Sequence, residues 1–293
     1  MKYEGNIYRP PSEAYSLLIQ VTVSCSHNRC TFCNAYKGVK FRIKSREEIL
    51  EDIIEAGRYS LHHPIRKIFL CDGDALIIPQ KRLVEIFEQI RQHIRGVERV
   101  GIFGNVKSIL RKSVDELKVL KELGLGIVYL GVESGNDAIL QATCKGTTYE
   151  RTVEAGRRVK DAGIALSAMV LLGLGGVEKS MDHALDTARI LTAIDPDYAG
   201  ALTLMVYPGT PLGDEYEAGR FTIPDTFGFL RELGVIIANS NFTNCFFTSN
   251  HASNYLPIRA RMPEQKEETV AAIQRVIQEA DKKKLRPEYL RAF

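Results

Sequence analysis

No stretch of this 293-residue chain holds the ~18–20 consecutive apolar residues that a membrane-spanning helix needs. The opening Met1-Lys2-Tyr3-Glu4-Gly5 also lacks the apolar core of a secretory signal. Neither charge dominates: 39 basic against 36 acidic residues leave +3. That surplus is too slight to imply nucleic acid, though it leaves a small RNA partner open. There is no low-complexity tract, and a chain of this size buries about three quarters of its unfolded surface without disulfide staples. Of six cysteines, Cys71, Cys144 and Cys245 stand far apart, as small buried hydrophobes do rather than as a disulfide framework. These absences predict a cytoplasmic protein with no membrane partner.

The other three cysteines are concentrated. Cys25, Cys30 and Cys33 lie in the run Ser24-Cys25-Ser26-His27-Asn28-Arg29-Cys30-Thr31-Phe32-Cys33, directly after an apolar, strand-like stretch. Three thiolates so close can hold a metal ion or an iron–sulfur cluster, provided the loop wraps it. A [4Fe–4S] cluster on three protein thiolates keeps one iron open to an outside ligand. Two other readings use the same residues. With His27 or an outside group they would form a tetrahedral structural zinc site. With Cys71, which ends the adjacent strand, they would form a closed electron-transfer cluster.

Short apolar runs alternate with helical periods along the chain. Strands are predicted over residues 15–23, 67–71, 99–103, 126–131, 164–172 and 198–206, and helices over 46–57, 81–94, 114–123, 149–162 and 179–193. Capping boxes pair Ser45 with Glu48, Ser113 with Glu116 and Thr147 with Glu150, and Gly57, Gly124 and Gly163 are read as helix ends. The series predicts an α/β fold: a partial (β/α)6 TIM-like barrel of parallel strands. Residues 1–14 are expected to form an N-terminal arm, 15–212 the barrel, and 213–293 a C-terminal extension that closes it. Within the extension, 256–263 reads as extended and 263–284 as a charged helix.

In parallel α/β folds the chemistry gathers beyond the strands' C-terminal ends. Here those loops carry the cysteines, then Asp72-Gly73-Asp74, Gly104-Asn105, Glu133-Ser134-Gly135, Gly173-Leu174-Gly175-Gly176 and Pro208-Gly209-Thr210-Pro211. A three-cysteine loop with an aromatic before its last cysteine, after strand one of a partial barrel, resembles the radical S-adenosylmethionine (radical SAM) superfamily. The resemblance covers about residues 15–212. Gly131-Val132-Glu133-Ser134-Gly135 and the Pro208–Pro211 turn are similar to the branch containing oxygen-independent coproporphyrinogen oxidase and MiaB-like tRNA modifiers. One departure stands out: four residues separate the first two cysteines where the family has three, which is read as a bulge in the loop.

The resemblance implies an enzyme with a [4Fe–4S] cluster and S-adenosyl-L-methionine as cofactors, working in a low-oxygen setting. Reduction of the sulfonium by the cluster yields methionine and a 5′-deoxyadenosyl radical, which abstracts hydrogen from the substrate. Cys25, Cys30 and Cys33 are then the cluster ligands, and a flavodoxin- or ferredoxin-type protein the low-potential electron donor. Phe32 offers a flat face near the adenine. Backbone at Asp72, Gly73 and Asp74 reaches the methionyl ammonium. Glu133 meets that ammonium or a ribose hydroxyl, or is satisfied by Lys145, whose position in the family faces the cofactor carboxylate. Asn105, Ser167 and the Gly173 turn are further cofactor candidates. His251, Asn254, Tyr255 and Arg259 form a substrate candidate suited to an anionic group. With one cysteine cluster and about fourteen residues before strand one, neither an auxiliary-cluster domain nor a cobalamin-binding domain is expected.

Overall fold

A computed structural model describes residues 1–292, which divide into two compact units. Residues 1–28, 35–130 and 154–166 form the first; residues 29–34, 131–153 and 167 onward form the second. Residues from 213 onward belong to the same unit as 167–212.

In the first unit β1 (Leu17–Gln20) breaks from the predicted strand at Val21, and β2 (Thr22–Val23) pairs antiparallel with β3 (Arg42–Ile43). Val21 still donates its N–H to the Cys71 carbonyl at 2.7 Å, so the break redirects the chain without orphaning its backbone. The strands β4 (Lys67–Cys71), β5 (Arg99–Phe103) and β6 (Leu125–Glu133) follow as predicted. β1 lies parallel to β4 (Leu17 opposite Ile68), β4 to β5 (Lys67 opposite Arg99) and β5 to β6 (Gly101 opposite Ile127).

Between them run α1 (Arg46–Ser60), α2 (Gln80–His93), the short α3 (Val106–Leu110) and α4 (Val114–Glu122). Both predicted capping boxes form: Ser45 with Glu48, and Ser113 with Glu116. Gly57 does not end its helix; it lies inside α1, where a Cβ would meet the His93 carbonyl oxygen of α2 at 2.6 Å. The aromatic side chains of Phe69, Phe103 and Tyr129 pack edge to face within 5.0–6.0 Å. Tyr129, Arg99 and Ser16 all donate to the fully buried carboxylate of Glu13, which ties the end of the N-terminal arm to β5 and β6.

The second unit holds α5 (Asp137–Ala142), and α6 (Tyr149–Asp161) starts there. Its cap is Thr148, which accepts from the Arg151 N–H, rather than the predicted Thr147. β7 (Ala165–Leu172), α7 (Ser180–Ile194) and β8 (Tyr198–Thr203) complete the six predicted parallel strands, with Ser167 opposite Tyr198. Short α8 (Pro211–Glu217) leads to α9 (Thr226–Asn239), a helix not predicted in the extension. β9 (Cys245–Thr248) joins β8 in parallel, and β10 (Arg259–Met262) pairs antiparallel with β9. α10 (Lys266–Glu279) closes the series; α9 packs on both α7 and α10. The α/β class and the parallel strands are as expected. Among the described residues no helix is long and apolar enough to cross a membrane.

Candidate functional site

The cysteine loop is anchored in two halves. In the first unit, Ser26 donates to the Asp74 carboxylate, and Asn28 donates through Nδ2 to the Tyr36 carbonyl at 2.8 Å. Asn28 has φ +41°, a left-handed conformation that asparagine tolerates better than most residues.

The Asp72-Gly73-Asp74 turn beyond β4 lies against that half-loop. A Cβ on Gly73 would sit 2.6 Å from the Tyr36 ring and 3.0 Å from Cβ of Cys25, so only glycine brings the turn this close to the first cysteine. The Tyr36 hydroxyl donates to Asp72 at 2.6 Å and the Gln20 amide at 3.3 Å, and burial pushes the Asp72 carboxyl up to about 6. Asp74 is fully buried and accepts four hydrogen bonds: from Ser26, from the Asn105 side chain at 2.7 Å, from the Asn105 N–H at 3.1 Å and from Ser108 at 2.6 Å. Its burial also raises its pKa. Asn105 caps α3 through its Oδ1, which accepts from the Ser108 N–H. Asp74 and Asn105 therefore brace the loop, and their side chains are engaged within the chain.

In the second unit, Thr31 donates its N–H to the Thr143 carbonyl at 3.0 Å and accepts from the Leu212 N–H at 3.1 Å. Phe32 packs against an apolar cluster of Ile139, Leu171, Leu174, Leu204 and Leu212. The Cys33 N–H donates to the Cys30 carbonyl, closing a tight turn. Glu133 ends β6 with φ +63°, a left-handed conformation costing about 1–3 kcal/mol for a residue of this type. Its carboxylate meets the Lys145 ammonium at 2.8 Å, both half-buried.

Two residues that the sequence reading passed over shape the same rim. His183 of α7 is fully buried; its Nδ1 pairs with the Ser134 hydroxyl at 2.9 Å and its Nε2 with the Leu171 carbonyl at 3.1 Å. The carbonyl fixes the proton on Nε2, so Ser134 donates to Nδ1. Burial pulls this imidazole down to about 4. Glu232 of α9 is also fully buried; it accepts from the Gly173 N–H and the Ser180 hydroxyl, each at 2.6 Å, and burial pushes it up to about 7. Each breaks an apolar helix face, His183 beside Ala184 and Thr187, Glu232 beside Phe229 and Ile236. A lone polar residue on such a face is the sequence signal for them.

The depressed folded pKa of His183 sets the sign of a pH effect. Unfolded, the ring takes a proton near 6.5; folded, it stays neutral down to about 4. Its stabilisation is therefore present above pH 6.5 and lost as pH falls toward 4, by on the order of 3 kcal/mol. Glu232, raised, works in the opposite sense, losing stabilisation as pH rises from about 4.5 to about 7. The expected result is thus a difference: the stability gap between wild type and His183→Gln narrows as pH falls from 7 to 5, read by urea denaturation at each pH.

Other predicted positions stand elsewhere. Ser167 is the third residue of β7, five residues short of the strand's C-terminal end at Leu172, or about 16 Å along it. It is therefore near the start of a strand whose limits are close to those predicted, and away from the loop that follows Leu172. Asn254, nearly buried, bonds Thr203 at 2.8 Å and the Ala201 carbonyl at 2.8 Å. Tyr255 accepts from Arg291 at 2.6 Å and donates to Glu288 at 2.5 Å. His251 pairs with Ser253 at 2.9 Å, and Arg259 is exposed on β10. Asn254 and Tyr255 fasten residues 249–255 to β8 and to the C-terminal turn. Cys71 is buried, its Sγ donates to the Phe69 carbonyl, and burial raises its pKa, as suits an inert protonated thiol rather than a fourth cluster ligand.

The donor chemistry suits an iron–sulfur cluster. Cys25, Cys30 and Cys33 are half-buried, none is in a disulfide, and both halves of their loop are braced. Among the described residues, no three histidine, cysteine or carboxylate side chains are already gathered about a metal position.

A family model described as the Radical SAM superfamily matches residues 19–188. An uncharacterized methyltransferase of Pyrococcus horikoshii is 27% identical over 233 residues, covering 78% of this chain and 48% of its own length. The chain spans about half the length of the curated relatives it matches. Among solved structures, a cobalamin-dependent S-adenosylmethionine radical enzyme with aqua-cobalamin and S-adenosylmethionine bound has a TM-score of 0.56, at 18% identity, over 74% of this chain and 40% of that one. A radical S-adenosylmethionine methyltransferase from Kitasatospora setae, with cobalamin and a [4Fe–4S] cluster bound, has a TM-score of 0.55, at 18% identity, over 71% of this chain and 41% of that one. At such identities the likeness is one of fold.

Proposed function

The chain belongs to the radical S-adenosylmethionine superfamily, whose members are enzymes using a [4Fe–4S] cluster and S-adenosylmethionine, and from that premise we propose that Cys25, Cys30 and Cys33 hold the cluster and that the reaction begins by removing a hydrogen atom from the substrate. When bound, the two cofactors supply one-electron cleavage of the sulfonium and a 5′-deoxyadenosyl group that takes the hydrogen. The observation that carries the reading is the braced three-cysteine loop within the matched span of residues 19–188.

The remaining residues divide the work of holding the cofactor. Glu133 and Lys145, paired at 2.8 Å, offer opposite charges matched to the methionyl ammonium and carboxylate, and would exchange one another for those groups. Asp72 and Gly73 present backbone beside Cys25, while Asp74 and Asn105 keep that turn in place. Phe32 sets the loop against its apolar cluster and keeps water from its inner side. The Gly173 turn receives the adenosyl portion. Enzymes of this family need a reductant, and a flavodoxin- or ferredoxin-type donor fits the low potential required.

The test is spectroscopic. Anaerobically reconstituted and reduced protein should show the electron paramagnetic resonance signal of a [4Fe–4S]⁺ cluster, and that signal should change when S-adenosylmethionine occupies the open iron. A well-loaded cluster whose signal is indifferent to saturating S-adenosylmethionine would overturn the reading.

A further inference from the structure

α9 is apolar on nearly every buried position, with Phe229, Leu230, Leu233, Ile236 and Ile237 all inside, yet it also buries Glu232 completely. A carboxyl without a cation is costly to bury unless its oxygens are hydrogen-bonded. Those of Glu232 are, and both bonds go to one loop. Gly173, which opens the loop after β7, donates its N–H to Oε2; Ser180, the first residue of α7, donates its hydroxyl to Oε1, each at 2.6 Å. The loop is held at its two ends by the two oxygens of a single side chain.

Its middle is held from the same part of the chain. The Val177 N–H donates to the Thr222 carbonyl at 2.8 Å. Gly173 itself has φ +83°, and a Cβ there would lie 2.2 Å from the Phe229 ring, so α9 leans directly on the loop's first residue. Every one of these contacts comes from residues 213–239, outside the span of 19–188 that the family model matches. Burial pushes the Glu232 carboxyl up to about 7, so near neutrality a large share is protonated. A glutamine copies that neutral form: its carbonyl accepts from Gly173, and its amide keeps the second tie with the direction reversed, donating to the Ser180 hydroxyl oxygen.

We propose that Glu232 is a positioning residue for S-adenosylmethionine: by fixing both ends of the 173–180 loop it holds that backbone in the shape that receives the adenosyl portion, so the C-terminal extension forms part of the cofactor site. The inference rests on the radical S-adenosylmethionine reading above. It adds a residue that touches neither cluster nor cofactor and acts through the Gly173 N–H.

The experiment compares wild type, Glu232→Gln, Glu232→Ala and Ser180→Ala after cluster reconstitution, each held well below its melting temperature. Two quantities are read: the dissociation constant for S-adenosylmethionine, and amide hydrogen exchange across residues 173–180 in the protein without cluster. Glu232→Ala should raise the dissociation constant on the order of tenfold and speed exchange in the loop. Glu232→Gln should match wild type in both, and Ser180→Ala, which cuts one tie of two, should fall between. Should Glu232→Ala fail to fold, the Gln and Ser180→Ala variants carry the comparison alone. A folded Glu232→Ala protein with wild-type affinity, or a Gln variant that does not match wild type, overturns the inference. Failure of wild-type loaded protein to bind S-adenosylmethionine overturns the proposed function, and this inference with it.

Discussion

Replacing Cys33 with alanine yields a folded protein that loads no stable [4Fe–4S] cluster and cleaves no S-adenosylmethionine. The fold should survive because the loop is not held by its thiols. Thr31 is bonded on both sides by backbone, to Thr143 and Leu212, and Phe32 is packed against Ile139, Leu171 and Leu204. Cys33 is half-buried, so loss of its sulfur should cost no more than about 1 kcal/mol of stability without the cluster. Loss of the third thiolate, by contrast, leaves the cluster on two protein ligands. Cys25→Ala and Cys30→Ala should behave alike. Cys71→Ala and Cys245→Ala should show the reverse pattern, because both thiols are fully buried and serve as small hydrophobes. They should lose stability, by about 1 kcal/mol, and keep the cluster. Iron and sulfide content per chain, visible charge-transfer absorption and urea denaturation separate the two groups.

Gly135→Ala should be the most destabilising single-methyl addition in the second unit. An added Cβ would stand 1.9 Å from the Asp186 carbonyl oxygen, 2.4 Å from its carbon and 2.9 Å from the Thr187 nitrogen. All three atoms are helix backbone, which cannot swing aside as a side chain would. Either α7 or the loop beyond β6 has to shift, and each carries bonds that a shift breaks: Gly135 N–H to Thr187, Asn136 to Asp186 at 2.7 Å, and Ser134 to His183 at 2.9 Å. A loss of about 3–5 kcal/mol is expected. Asn136→Ala removes the α5 cap and the Asp186 bond but adds no overlap, so its loss should be nearer 1–2 kcal/mol. Denaturation midpoints of the two variants check the ranking. Equal losses would mean that the close approach of loop and helix carries little of the strain assigned to it.

The strands were the most legible part of the chain. β4 and β5 match their predicted limits because nearly continuous apolar runs with turn residues at both ends leave little freedom. The first strand was harder, since Val21, Thr22 and Val23 are all β-branched and buried while the chain turns to pair with β3. Hydrophobicity reports burial, not which neighbour supplies the hydrogen bonds. α3, α5 and α8 escaped for another reason: at five to seven residues they have too few turns to display a period, and only their caps, Asn105, Asn136 and Thr210, mark them. At the site, local motifs were readable and long-range partners were not. The cysteine run, Asp72-Gly73-Asp74 and Glu133 announce themselves in short windows. Glu232 reaches Gly173 across 59 positions, and no spacing rule links them.

The central claim is that this chain uses its cysteine loop to cleave S-adenosylmethionine, and one assay addresses it directly. Protein reconstituted anaerobically with iron and sulfide is reduced with dithionite, given S-adenosylmethionine, and assayed for 5′-deoxyadenosine by chromatography. The expected result is 5′-deoxyadenosine formed with wild-type protein and absent with Cys33→Ala. A fully loaded wild-type cluster that produces none, under conditions where S-adenosylmethionine is intact and the cluster is reduced, contradicts it.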